Sequence, residues 1–262
     1  MRTPIFQVDA FTSRLFAGNP AAVMPMERFP SEEVMQAIAA ENNLAETAFL
    51  VATGDDYHLR WFTPACEVPL CGHATLASAA VVLERLQPGR PGVVFHTASG
   101  PLRVMRRPGG GYVMDFPALS AEKVATPAGL PAALGVEPAE VYANDVNYLA
   151  VFANESLVRQ LRPDSAAVAR LDRRGVIVTG PGDTGYDFVS RYFAPAIGVP
   201  EDPVTGSAHC VLTPYWATRL NKTEFRAFQA SRRGGEIGCR LVAERVELAG
   251  ACVFYLEGMV EV

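Results

Sequence analysis

The strongest constraint on the fold is a repeat. Arg60-Trp61-Phe62-Thr63-Pro64-Ala65 returns as Arg191-Tyr192-Phe193-Ala194-Pro195-Ala196, an offset of 131 (191 less 60), half of the 262-residue chain. The register continues. Val68-Pro69 meets Val199-Pro200, and Cys71 meets Asp202. After the extra Pro203-Val204-Thr205, Gly72-His73-Ala74 meets Gly206-Ser207-Ala208. Upstream, Phe49-Leu50-Val51-Ala52-Thr53 echoes Ile177-Val178-Thr179. Common Ala, Pro and Val can match by chance. Aromatic pairs, both prolines and both Gly-X-Ala steps in one register argue against it. A doubled chain predicts two similar domains about a pseudo-twofold axis. Equivalent loops then face each other across a cleft, a frequent place for a small molecule.

Hydrophobic residues make up 49% and charged residues 19%, which excludes a disordered chain. Net charge is −5 and no Lys/Arg-rich run stands out, so nucleic acid is not expected as a partner. No stretch approaches the ~18 consecutive apolar residues of a membrane span, so no membrane association is expected. The N-terminus runs straight into strand-like sequence without the pattern of a secretory signal. Five scattered cysteines fit a reduced, cytoplasmic protein better than a disulfide framework.

Strands are predicted at 5–11, 21–24, 47–51, 57–62, 93–96, 102–105 and 111–114, with a helix over 31–40. The second half predicts strands at 141–143, 149–152, 176–179, 188–193, 240–243, 246–248 and 252–256, with a helix over 164–171. Segments 73–83 and 207–216 are apolar nearly all round, so they belong inside the protein. Pro214 should bend the second or cost it a hydrogen bond. Strands surrounding a central apolar helix, twice, is an α+β arrangement.

Four segments carry chemistry. Glu46 is the last charge before an apolar strand; a desolvated acid exchanges protons near neutrality, whereas a loop glutamate stays in water. In Cys71-Gly72-His73-Ala74-Thr75, Gly72 permits close backbone approach, free N–H groups at the helix start suit a carboxylate, and His73 can donate to it. The plainer alternative is a helix start with a core cysteine and a structural histidine. Asp202-Pro203-Val204-Thr205-Gly206-Ser207-Ala208 offers a carboxylate and hydroxyls, or simply an N-cap. Gly18-Asn19-Pro20 is a turn from which Asn19 can reach a substrate, or simply the ordinary turn that Asn before Pro signals. Arg232-Arg233-Gly234-Gly235 either binds a carboxylate or faces water. Cysteine and histidine spacing does not read as a metal site, and no P-loop, dinucleotide fingerprint or Gly-X-Ser-X-Gly elbow is present.

Together these residues resemble the PhzF-like phenazine biosynthesis family of the diaminopimelate epimerase-like superfamily. The matching pieces are Gln7-Val8-Asp9-Ala10-Phe11, Gly18-Asn19-Pro20-Ala21-Ala22-Val23, Glu41 to Phe49, Arg60-Trp61-Phe62-Thr63-Pro64, Leu70-Cys71-Gly72-His73-Ala74-Thr75 and Glu201 to His209. The resemblance implies two pseudo-symmetric domains, each a curled sheet around a central helix, with the active site in the cleft between them. The halves fall at 1–116 and 117–251, with 252–262 returning to the first. It implies an isomerase similar to trans-2,3-dihydro-3-hydroxyanthranilate isomerase, which moves a proton between carbons of a small carboxylic acid. No metal or organic cofactor is implied, and a homodimer is expected. By resemblance Glu46 is the acid/base, with His73 and Asp202 beside it in catalysis. Asn19, Cys71, Gly72, Ala74, Thr205, Gly206, Ser207 and Gly234 line the substrate site. Epimerase relatives use two cysteines; here Cys71 occupies the first position but Asp202 the second. A racemase or epimerase using Cys71 with Asp202 is one alternative, a non-catalytic small-molecule-binding protein of the same fold another.

Overall fold

The computed structural model describes residues 2–183 and 185–262. The chain divides into two compact units, residues 2–115 with 249–262, and residues 116–248. The first begins with β1 (Arg2–Ala10), β2 (Asn19–Met26), α1 (Glu32–Asn42), β3 (Glu46–Thr53) and β4 (Asp56–Phe62). It continues through β5 (Glu67–Val68), α2 (Gly72–Val81), β6 (Gly92–Thr97), β7 (Gly100–Arg106) and β8 (Tyr112–Pro117). The second holds β9 (Glu122–Lys123), α3 (Leu130–Leu134), β10 (Glu140–Ala143), β11 (Asn147–Val151), α4 (Glu155–Gln160), α5 (Ser165–Val168) and β12 (Gly175–Pro181). It runs on through β13 (Phe188–Ala194), β14 (Val199–Asp202), α6 (Gly206–Leu220), β15 (Glu224–Gln229), β16 (Gly235–Val242) and β17 (Arg245–Gly250). Finally β18 (Cys252–Glu261) pairs antiparallel with β1.

The repeat in the sequence is a repeat in the pairing. In the first unit β1 lies antiparallel to β2, β2 parallel to β3, β3 antiparallel to β4, β4 parallel to β6 and β6 antiparallel to β7. In the second, β10, β11, β12, β13, β15 and β16 follow the same series of orientations. Parallel neighbours need a long crossover. In both units the second crossover carries a short antiparallel strand, β5 or β14, and then the apolar helix, α2 or α6. The repeat extends to an ion pair. Arg60 grips Glu67 through Nε and Nη2, both at 2.7 Å, and Arg191 grips Glu201 at 2.7 and 3.0 Å.

Helix α2 is enclosed as its composition requires: every residue from His73 to Val81 is buried. Its neighbours include β1, β2, β3 and β18. Its two hydroxyls are satisfied within the helix, Thr75 donating to the Cys71 carbonyl at 2.6 Å and Ser78 to that of Ala74 at 2.7 Å. The α-helix gives way to a π-helical turn at Val82–Leu86, which overlaps the expected 73–83 segment at its end and carries the helical path beyond it. In α6, Pro214 leaves the Cys210 carbonyl without its helical donor. The backbone N–H of Leu119 takes that place at 3.0 Å, so the expected cost is offset and the helix runs on to Leu220.

The helix expected over 164–171 is only Ser165–Val168, with Asp164 capping the N–H groups of Ala166 and Ala167. The sequence reading also missed β5, β9, β14 and β15, and helices α3 and α4. Among the described residues, no helix is long and apolar enough to cross a membrane.

Candidate active site

Four side chains of the first unit converge where strand starts meet a helix start. Glu46 opens β3, with its backbone opposite Ala21 of β2. Asn19 opens β2, opposite Ala10. Gly18 before it has φ +66°, and a Cβ there would lie 2.2 Å from the Ala10 carbonyl oxygen, so only glycine makes this turn. Cys71 caps α2 and His73 is its second residue. The His73 ring is the hub. Its Nδ1 lies 3.1 Å from Nδ2 of Asn19 and 3.5 Å from Sγ of Cys71. Its Nε2 lies 3.0 Å from Oε2 of Glu46.

That last contact is short but not aligned as a hydrogen bond. Neither Glu46 Oε2 nor His73 Nε2 has another hydrogen-bond partner among the described residues. The Glu46 side chain is only 16% exposed and His73 is buried. A buried polar atom left unpaired costs about 1–3 kcal/mol, more if charged. Here each of the two faces the other at 3.0 Å as an ion pair when the ring is protonated, and each keeps hydrogen-bonding capacity for a third molecule.

The charges follow from the same geometry. Burial pushes the Cys71 thiol up to about 11, and the Glu46 carboxylate adds to it, so the neutral thiol is the resting form. Burial alone would favour a neutral His73 ring. Cys71 and Glu46 both favour the proton and raise the ring well above the ordinary histidine range; with the thiol neutral, the Glu46 carboxylate 3.0 Å from Nε2 supplies the charge that holds it. The ligand atoms of Glu46, Cys71 and His73 all lie within 4.8 Å of one another, a closeness the sequence spacing did not suggest. The imidazole, however, turns one nitrogen to the carboxylate and the other to the thiol.

In the second unit, Asp202 ends β14 and Thr205 stands at the N-cap of α6. The Thr205 hydroxyl does not cap the helix; it donates to Oδ2 of Asp202 at 2.5 Å. Gln229, fully buried at the end of β15, ties the turn together. Its Oε1 accepts from the Thr205 N–H at 2.8 Å, and its Nε2 donates to the Asp202 carbonyl at 2.8 Å and lies 3.1 Å from the Thr205 hydroxyl. Gly206 is buried, while Ser207, the counterpart of His73 in the repeat, is exposed. Gly234 has φ +68°, and a Cβ there would meet Phe228 at 2.7 Å. Its N–H donates to the Ser231 hydroxyl at 3.0 Å, which in turn donates to the Pro203 carbonyl at 2.8 Å. Gln229 and Ser231 escaped the sequence reading. The only signal for Gln229 was a polar residue at the inward position of an alternating strand.

The profile of the family described as phenazine biosynthesis-like protein matches residues 8–258. An "uncharacterized isomerase" of Pseudomonas aeruginosa is 50% identical over 260 residues, covering 99% of each chain. The chain belongs to the phenazine biosynthesis-like (PhzF) family. A PhzF-family crystal structure from Enterococcus faecalis superposes with a TM-score of 0.96 at 43% identity, covering 100% of both chains. A hydroxyproline epimerase from Agrobacterium vitis shares the fold at TM-score 0.63 and 12% identity, over 99% of this chain and 92% of that one. This PhzF-like chain therefore has the α+β diaminopimelate epimerase-like fold, with the doubled pairing order described above.

One buried histidine of this PhzF-like protein is structural. His209 corresponds to Thr75 in the repeat. Its Nδ1 lies 2.8 Å from the Thr205 carbonyl and its Nε2 3.4 Å from the Ser190 hydroxyl. Burial pushes it down to about 4 from the ordinary 6.5, against the Thr205 carbonyl that favours the proton. Between those values the unfolded chain binds a proton that the folded one refuses. Folding stability therefore falls as pH drops through that window, by about 3 kcal/mol from this group. His73 has the opposite sign: its stabilising contribution is complete below 6.5, so it is constant in the window. In His209→Gln, the slope of unfolding free energy between pH 6.5 and 4.5 should be shallower than wild type. Urea titrations across that range measure it, and an unchanged slope would refute the assignment.

Proposed function

We propose that this protein is a cofactor-independent isomerase that moves a proton between carbons of a small carboxylic acid, with Glu46 as the acid/base. The observation that carries the reading is the 3.0 Å convergence of Glu46 Oε2 and His73 Nε2, neither of which has another hydrogen-bond partner among the described residues. The isomerase name of the Pseudomonas aeruginosa relative, at 50% identity, supports the class.

In this reading the Glu46 carboxylate takes a proton from one carbon, and the electron pair left behind delocalises toward the substrate carboxylate. The protonated Glu46, its side chain 16% exposed, exchanges its hydrogen with water and then returns one to another carbon on the same face, restoring its own charge. The first helical hydrogen bond of α2 runs from the Thr75 N–H to the Cys71 carbonyl. The N–H groups ahead of it, of Gly72 and His73, suit the growing negative charge, as does a protonated His73. Asp202 and Ser207 are assigned to contacts with the substrate's polar groups.

The test is incubation with trans-2,3-dihydro-3-hydroxyanthranilate and a panel of small aromatic and amino acids in D2O. Mass spectrometry should find deuterium at carbon in at least one of them. No incorporation into any probe counts against the reading.

A thiol mechanism makes a separate prediction. The second reading, a racemase using Cys71 with Asp202, needs a thiolate, and burial opposes one here. A helix N-terminus stabilises a negative group by about 0.3–1 kcal/mol, which is less than burial costs this thiol. Cys71→Ala should therefore retain exchange within about tenfold of wild type, whereas a thiol mechanism predicts complete loss.

A further inference from the structure

We propose that Asn19 is a positioning residue that governs where His73 carries its protons. The inference rests on the reading of Glu46 and His73 as a proton-handling pair. Asn19 is fully buried, and its Nδ2 lies 3.1 Å from Nδ1 of His73. With the amide nitrogen toward the ring, Nδ1 must accept. The proton of a neutral ring then sits on Nε2, the nitrogen 3.0 Å from Glu46. Turned over, the same amide presents its oxygen, which accepts from the Nδ1–H of an imidazolium. A carboxamide thus suits both charge states of the ring without moving it, and it adds no charge to a site that already holds one carboxylate.

The backbone makes the placement firm. Asn19 is the first residue of β2, pinned opposite Ala10, and the preceding Gly18 turn brings the chain against the Ala10 carbonyl. The titratable groups that face His73 are Glu46 from β3 and Cys71 at the cap of its own helix. Cys71 Sγ, 3.5 Å from the same nitrogen, is a weaker partner than an amide. Aspartate at position 19 would place a second carboxylate on the ring and lock it in the charged form. Leucine would remove both amide functions while keeping the same branching and number of side-chain heavy atoms, though its methyl groups are bulkier. Hydrogen bonds to the ionised ring are roughly twice as strong as those to the neutral one, so their loss should favour the neutral ring.

Long-range 1H–15N correlation NMR of the whole protein tests this, with the His73 ring assigned by its disappearance in His73→Gln. In wild type, above the ring's titration, the neutral ring should carry its proton on Nε2, with Nδ1 bare. A proton on Nδ1 would overturn the proposal without any variant needing to fold. In Asn19→Asp the titration should move up by about one pH unit or more, and in Asn19→Leu it should move down. Titration in both variants as in wild type would also overturn it. Failure of wild type to exchange deuterium bears on the isomerase reading, whereas an unmoved ring titration bears on Asn19, so the two are separable.

Discussion

Glu46→Gln lowers solvent-deuterium incorporation by about 10²–10⁴-fold and leaves the protein folded. That range is what a positioned acid/base contributes to a proton transfer. Glutamine matches glutamate in shape and keeps the β3 register opposite Ala21, so the backbone that carries it should not shift. It cannot take a proton from carbon at neutral pH. The same substitution removes the carboxylate that holds the proton on His73, so the ring's titration should fall at the same time. The paired outcome is informative. Loss of exchange with a lowered His73 titration and an intact thermal transition places Glu46 at the proton transfer. Full exchange in Glu46→Gln removes it from the mechanism, whatever happens to the ring. A fall of no more than a few-fold would make Glu46 a neighbour of the true base, with His73 the next group to replace.

The sequence showed the repeat because it is written in residues with rigid roles: a strand ending in an aromatic residue, a proline turn, then a glycine that starts a buried helix. Glu46 and His73 were legible as candidates because each stands at the start of an apolar run. Their closeness was not. Glu46 Oε2 and His73 Nε2 meet because the parallel pairing of β2 with β3 sets both strand starts beside α2, and no local pattern encodes that register. Cys71 shows a local rule losing to a tertiary one. A helix N-terminus favours a thiolate, but the cap is buried and faces a carboxylate, so the thiol is neutral. Gln229 was illegible for another reason. Its partners lie 24 and 27 residues away, and a polar residue at the inward position of a strand does not say what it binds. The same holds for Leu119, whose N–H satisfies the carbonyl that Pro214 orphans in α6. The helix expected over 164–171 stops at Val168, and the 3.6-residue periodicity that suggested it carries no information about its end.

The duplication itself can be weighed by experiment. Arg191→Ala should destabilise the protein by about 3–5 kcal/mol, while the equivalent Arg60→Ala should cost about 1 kcal/mol or less. The two arginines stand at matching positions of the repeat and each grips a glutamate through two nitrogens. Their surroundings differ. The Arg60 side chain is 31% exposed and that of its partner Glu67 32%, so water replaces much of what either loses. The Arg191 side chain is 9% exposed, and its Nη1 also donates to the backbone carbonyls of Leu161 at 2.9 Å and Val158 at 3.2 Å. Removing it would leave Glu201, 24% exposed, without its fork and take one donor from the Val158 carbonyl, while the Leu161 carbonyl keeps Arg162 Nη1 at 2.9 Å; losing one partner of a largely enclosed pair costs more than the pair itself contributes. Arg191→Lys would keep the charge but not the fork, so it should recover only part of the loss. Urea unfolding of the three variants measures the difference. Equal effects at 60 and 191 would mean that the ion pair, not its burial, sets the cost, and that the two copies have not diverged in what holds them together.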